Sequence, residues 1–156
     1  MADTPLQEGD AAPAFTAPRD GGGTFTLADH ADKTVVLFFF PKADTSGCTK
    51  EAVGFTEKAA DFVAAGAVLV GLSKDPVKKQ DKFKEKHGLD VILLSDDEGT
   101  ICEDFGVWVE KSMYGKKYMG IERSTFAIKG GKIVKAWHKV KVPGHVDTVL
   151  EAVKAA

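Results

Sequence analysis

Six consecutive apolar residues, Val35–Phe40 (VVLFFF), constrain this chain more than any other stretch. A run that is apolar at every position has no face to offer water, so it predicts a strand over Thr34–Phe40 covered on both sides, as central strands of α/β sheets are. Pro41 stops it. A short polar loop follows, and Cys48 stands where a new pattern begins. Cys48, Ala52, Phe55, Ala59, Phe62 and Val63 recur at helical spacing with Lys50, Glu51, Glu57, Lys58 and Asp61 between them. The spacing predicts a helix over about 47–65, closed by Gly66, with Cys48 on its sheet-facing side. A sulfur at a helix start meets unpaired N–H groups and the positive end of a dipole, both of which favour a thiolate. Cys48 is thus expected to be a nucleophile. On position alone, a buried structural thiol on an apolar stripe is the plain alternative.

The remaining pattern surrounds this unit with α/β elements. Residues 1–13 read as extended chain with Pro5 and Pro13. Phe15–Ala17 and Thr24–Leu27, separated by RDGGG, predict a short hairpin, with one helical turn over Leu27–Ala31. Ala67–Leu72 predicts a second buried strand. Asp75-Pro76 predicts an N-cap and first helical position for a charged helix running to Lys86, anchored by Val77 and Phe83 and closed by Gly88. Val91–Leu94 predicts a third strand, and a short helix then holds Ile101, Cys102 and Phe105 before Gly106. Val107–Gly120 shows no clean period and is expected to be a long excursion. Ser124–Ile128 and Lys132–Trp137, joined by Gly130-Gly131, give the strongest hairpin signal. Val146, Val149, Leu150 and Val153 lie at i, i+3, i+4 and i+7, which predicts a C-terminal amphipathic helix. The sum is an α/β chain of one domain, residues 1–156, with a parallel βαβ half, a hairpin and a packing helix. That is the order of a thioredoxin-like fold with an N-terminal β-hairpin extension and a helix/strand insertion.

Composition excludes several function classes. With 21 basic and 23 acidic residues interspersed, for a net charge of −2, no nucleic-acid or membrane surface is expected. No apolar run approaches the roughly 18–20 residues of a membrane span, and MADTPLQEGD has neither the basic nor the apolar region of a signal peptide. The expected location is cytoplasmic. Two cysteines that are not a CxxC pair, and four scattered histidines, argue against a disulfide scaffold, a dithiol motif and a zinc site. No cofactor and no metal are expected.

The loop Pro41-x3-Thr45-x2-Cys48 resembles the active-site loop of the peroxiredoxins, and FFFPKADTSGCTKEA is similar to the bacterioferritin-comigratory, or PrxQ, branch of that family. The likeness continues through MYGKKYMGIERSTFAI and WHKVKVPGH and so covers most of the chain. It implies an antioxidant thiol peroxidase of cell redox homeostasis that reduces hydrogen peroxide and organic hydroperoxides through a Cys48 sulfenic acid. It also implies the companions of that sulfur. Thr45 would bond the peroxide oxygen, Pro41 would stiffen and shield the loop, and Arg123 would donate to sulfur and peroxide. Glu51 would orient the network, and the Gly47 and Cys48 N–H groups would be further donors. Each has a plainer reading from position: Thr45 as a helix cap, Pro41 as a strand end, Arg123 in a surface pair with Glu122, and Glu51 as a favourable first-turn acid.

One departure from the branch bears on mechanism. Many members carry a resolving cysteine five residues after the nucleophile, here Val53, or in the following helix around Lys82–Lys86, where none stands. Cys102, between Ile101 and Phe105, is expected to be buried and inert. The implied cycle is therefore one-cysteine, with resolution by thioredoxin, glutaredoxin, glutathione or a similar thiol, in a monomeric protein. A Cys48–Cys102 disulfide is the rival cycle, and a redox sensor without turnover or a silent thioredoxin-like module are the rival functions. Phe38–Phe40, Trp108 and Met113–Met119 either line an apolar peroxide approach or are packing.

Overall fold

The computed structural model of the protein describes residues 6–155, so Pro5 lies outside the described residues. Strands β1 (Thr16–Pro18) and β2 (Thr24–Thr26) form the N-terminal hairpin, and a 3₁₀ turn follows over Leu27–His30. The chain then runs β3 (Thr34–Phe39), α1 (Ser46–Glu57), α2 (Ala59–Ala64), β4 (Ala67–Ser73), α3 (Val77–His87), β5 (Ile92–Ser95) and α4 (Ile101–Asp104). It ends with β6 (Trp108–Met113), β7 (Lys116–Ile121), β8 (Ser124–Lys129), β9 (Lys132–Trp137) and α5 (His145–Ala155).

The main sheet has the order β5-β4-β3-β8-β9. β3, β4 and β5 are parallel, β8 is antiparallel to β3 and β9 is antiparallel to β8, which is the thioredoxin-like arrangement expected from the sequence. Every residue of β3 is buried, because successive side chains feed two cores. Val36, Phe38 and Phe40 pack with Cys48, Phe55, Phe62, Phe83 and Val149 on the face covered by α1, α2, α3 and α5. Val35, Leu37 and Phe39 pack with Phe25, Cys102, Phe105 and Phe126 on the other. Full burial of Phe38, Phe39 and Phe40 assigns those rings to packing, not to a substrate approach. β4 passes so close beneath them that a Cβ on Gly71 would stand 2.7 Å from Phe38 Cζ.

Four local expectations need correction. The helix over 47–65 is two helices, interrupted at Lys58 (φ −104°, ψ 9°), which turns Ala59 and Phe62 inward and leaves Val63 69% exposed. Asp75 is not an N-cap. Pro76 occupies that position, while the buried Asp75 carboxylate accepts from the Ala43 N–H (2.7 Å) and the Ser73 hydroxyl (2.6 Å). Val77 is only half-buried, and Gln80 is the other buried anchor of α3, donating to Leu94 O and Ser73 Oγ. Finally, Val107–Gly120 is mostly a second hairpin, β6–β7, turning at Tyr114-Gly115 with both residues at positive φ (54° and 78°). Its tip exposes Met113, Tyr114, Tyr118 and Met119. Among the described residues, no helix is long and apolar enough to cross a membrane.

Candidate active site

The end of β3 delivers the chain to the site. The Phe40 N–H still bonds Leu72 O at 3.0 Å, and the exposed Pro41 then cannot extend the ladder. In the loop that follows, the Ala43 N–H is tied to Asp75, and Asp44 takes a left-handed backbone at φ 63°. Thr45 occupies the N-cap position of α1 in extended backbone, without a side-chain cap bond. Its hydroxyl donates to Lys42 O at 2.8 Å, and its carbonyl accepts the helical Thr49 N–H at 2.8 Å. The N–H groups of Gly47 and Cys48 precede that bond, at the positive end of α1.

Cys48 is 1% exposed and sits in the first turn of α1 facing the sheet, as its stripe predicts. Arg123 comes to it from across the sheet. Phe39 pairs with Ser124, so the residue before Ser124 stands level with the end of β3, where α1 begins. The Arg123 backbone is pinned there by the Val140 N–H, which donates to its carbonyl at 2.9 Å. Its guanidinium spans two partners, Nη2 donating to Cys48 Sγ at 3.2 Å and Nη1 to Glu51 Oε1 at 2.7 Å. Gly47 leaves the room for it, since a Cβ there would stand 3.1 Å from Nη2. The surface pair with Glu122 is not formed; Glu122 instead lies 3.7 Å from His138 Nδ1.

Glu51 is fully buried and its Oε2 has no hydrogen-bond partner among the described residues. Burial raises its pKa to about 7, with the Arg123 charge and hydrogen bond pulling the other way. For Arg123, burial works against the charge, but Glu51 and Cys48 more than offset it and its pKa is raised.

Of the five side chains singled out in the sequence, three meet in one hydrogen-bonded unit: Cys48, Glu51 and Arg123. Thr45 and Pro41 lie on the loop leading into it. Two groups near the unit were not singled out as site residues in the sequence, although His145 ends the WHKVKVPGH block. His145, at the start of α5, bonds Thr125 through Nε2 at 2.8 Å and packs edge-on against Phe55 and Trp137. Burial, with the Arg123 charge second, lowers its pKa to about 4. Lys111 on β6 lays its stem along Gly120, and burial followed by the Arg123 charge lowers its pKa. A lone histidine at the start of an apolar helix and one lysine among many are indistinguishable from ordinary surface positions by local pattern alone.

The second cysteine is elsewhere. Cys102 belongs to the core on the opposite sheet face from Cys48, and both thiols are free. Its backbone N–H bonds Asp96 Oδ2 at 2.9 Å. Burial, with the neighbouring Asp96 carboxylate second, pushes its thiol pKa far above the usual range. No group of metal-ligating side chains is present among the described residues. Trp108 is half-buried with the Lys74 ammonium 4.9 Å over its ring.

Known proteins resemble this chain in sequence and fold. The family model described as AhpC/TSA matches residues 8–136. A putative peroxiredoxin bcp of Coxiella burnetii is 49% identical over 146 residues, covering 93% of this chain and 97% of that one. A mutant of Xylella fastidiosa PrxQ superposes with a TM-score of 0.92 at 37% identity, over 97% of this chain and 98% of that one. A structure of Xanthomonas campestris bacterioferritin comigratory protein, whose description concerns its alkyl peroxide reduction activity, superposes with a TM-score of 0.89 at 43% identity. It covers 97% of this chain and 98% of that one.

Proposed function

The chain belongs to the AhpC/TSA family as a peroxiredoxin of the Bcp/PrxQ branch, a thiol peroxidase, and from that premise we propose a one-cysteine cycle run by Cys48. The observation that carries Cys48 as its nucleophile is the Arg123 guanidinium, bonded at once to the Cys48 sulfur and to the buried Glu51. In the first half-reaction the Cys48 thiolate attacks one peroxide oxygen in line. The S–O bond forms, the O–O bond breaks, and its electron pair leaves with the distal oxygen, which takes a proton to become water or an alcohol. Cys48 is left as a sulfenic acid.

Each neighbour has a task in that step. Arg123 balances the negative charge of the 1%-exposed sulfur and follows it as it shifts onto oxygen. Glu51 fixes the guanidinium in its fork, so little reorganisation accompanies attack. The Thr45 hydroxyl spends its proton on Lys42 O, which leaves its lone pairs to accept the O–H of the peroxide. The Gly47 and Cys48 N–H groups donate from the helix start, and Pro41 stiffens the loop at its strand end. The substrates are hydrogen peroxide and organic hydroperoxides.

The second half-reaction uses an external thiol. That thiol attacks the sulfenic sulfur, water leaves, and a mixed disulfide forms; a second thiol then releases the Cys48 thiol and carries off the disulfide. The opposite-face burial of Cys102 supports this route over an internal disulfide, which needs Cα atoms within about 7 Å. Since every group named comes from one chain, a monomer suffices.

Stopped-flow oxidation by peroxide tests the assignment. Cys48→Ser is expected to lose the fast phase entirely. A variant that reacts as fast as the parent overturns the nucleophile, and a parent that oxidises once but is restored by no thiol supports a sensor instead.

A further inference from the structure

Beside the active-site loop, between it and α3, lies a cavity of about 550 Å³ that the peroxidase step does not use. One wall is Lys42–Asp44, the loop that hands the chain to Thr45 and Cys48. The other is the exposed face of α3 with Lys79, Lys82 and Lys86, and Phe83 forms the apolar floor. The lining carries four lysines against two carboxylates, Asp44 and Glu85. Asp44 is already engaged, by Lys86 Nζ at 2.8 Å and His87 Nε2 at 2.7 Å. Among the described residues no ion pair involves Lys42, Lys79 or Lys82.

We propose that this cavity binds the reductant, a small thiol carrying carboxylates, and holds its anionic end against Lys79 and Lys82 while its sulfur attacks oxidised Cys48. The proposal rests on the one-cysteine cycle, since only that cycle needs an outside thiol at this loop. Three observations support it.

The size falls within the range of about 300–1,000 Å³ that holds small organic ligands. A concave site also suits a small molecule better than a protein, whose docking takes roughly 800 Å² per partner.

The charge is complementary. Three lysines without ion-pair partners among the described residues face one volume, and a thiol's carboxylates supply the complementary anions.

The wall is also coupled to the sulfur. Ala43 packs on the same apolar cluster as Cys48, and Lys42 O holds the Thr45 hydroxyl. Asp44, a non-glycine residue at φ 63°, is the only link from this loop to Lys86 and His87 among the described ion pairs. A carboxylate that binds Lys86 competes with Asp44. Its release leaves the Ala43 N–H bond to Asp75 as the loop's remaining tie to the α3 side among the described side-chain bonds, so thiol binding loosens the backbone beside the 1%-exposed Cys48.

In the chemistry, Cys48–SOH and one thiol give a mixed disulfide and water, and a second thiol gives back the Cys48 thiol and the oxidised disulfide.

The test compares steady-state turnover with glutathione, which is anionic, and with 2-mercaptoethanol, which is neutral, each corrected for its thiolate fraction. The parent is expected to favour glutathione in kcat/KM by about tenfold, the combined strength of two exposed ion pairs. In the double variant Lys79→Glu/Lys82→Glu that preference disappears and the KM for glutathione rises. Both positions are exposed, so the fold stands, and the neutral thiol serves as the reference within the same protein. Equal kcat/KM for the two thiols in the parent, or an unchanged ratio in the variant, overturns the proposal. Turnover with thioredoxin but with no small thiol overturns it too. Non-reducing mass spectrometry separates this failure from failure of the cycle itself. A Cys48–glutathione adduct with an unchanged ratio removes only the cavity, whereas a Cys48–Cys102 disulfide removes the external thiol altogether.

Discussion

Replacing Arg123 by Met isolates the electrostatic part of the proposed peroxidase step. The change keeps an apolar stem of similar length and deletes two charge-assisted hydrogen bonds, at 3.2 Å to Cys48 Sγ and 2.7 Å to Glu51 Oε1. A hydrogen bond to a charged group is worth about 1.5–3 kcal/mol, or roughly 10- to 150-fold in rate. Loss of one preorganised donor in a reacting site costs about 10²–10³. Single-turnover oxidation by hydrogen peroxide is therefore expected to slow by about 10²-fold. Stability responds separately. Breaking a buried ion pair costs about 3–5 kcal/mol when the remaining charge stays buried. Glu51 can avoid that cost by protonating, because its pKa is already raised to about 7 and loss of Arg123 removes what held it down. A carboxyl whose folded pKa exceeds its unfolded value loses stability as pH rises through the folded pKa. The deficit of Arg123→Met in urea unfolding is thus expected to be small at pH 6 and to grow above pH 7. The double variant Arg123→Met/Glu51→Gln should recover that stability at high pH without recovering the rate. An oxidation rate within threefold of the parent, in a folded Arg123→Met protein, would refute the role assigned to the guanidinium.

Three further changes probe the surroundings. Gly47→Ala places a methyl 3.1 Å from Arg123 Nη2, and oxidation should slow several-fold in stopped flow while thermal unfolding shows no loss, since Ala is favoured over Gly in a helix by about 1 kcal/mol. Cys102→Ala leaves a small cavity in the core and should cost about 1–2 kcal/mol in chemical denaturation, with thiol-supported turnover within twofold of the parent. His145 has a folded pKa lowered to about 4, below its unfolded value, so the stability it contributes is complete above about pH 6.5 and is lost as pH falls towards 4. That loss amounts to about 3 kcal/mol, and His145→Gln, which keeps a partner for Thr125, should flatten the parent's acid limb in denaturation curves between those pH values.

The parts of the fold that were legible in the sequence are those where burial writes a period. VVLFFF announced a strand between two cores, the i, i+3, i+4, i+7 pattern of Val146–Val153 announced α5, and Gly130-Gly131 announced the β8–β9 turn. The β6–β7 hairpin was illegible because it lies over the protein and not in it. Its strands bury few side chains, and its turn is made by Tyr114, a residue that seldom takes positive φ. The break at Lys58 is marked by neither proline nor glycine, so a continuous stripe wrongly carried Val63 inward. For the site, Cys48 could be placed by its position between an apolar strand and a helix start. Arg123 could not. It stands 75 residues away, and only the resemblance to a peroxiredoxin separated it from a surface pair with Glu122. The pairing of Phe39 with Ser124 supplies the physical reason that distance in sequence becomes 3.2 Å in space. Its anchor Glu51 read equally well as a first-turn acid, because burial of a carboxylate leaves no trace in local pattern.

The most direct test of the proposed cycle is non-reducing peptide mapping by mass spectrometry after one equivalent of hydrogen peroxide, with a sulfenic-acid trap present. The expected result is trapped sulfenic acid on Cys48 with Cys102 still a free thiol, and return of the Cys48 thiol once an external thiol is added. A Cys48–Cys102 disulfide, or oxidation at Cys102 with Cys48 untouched, contradicts it.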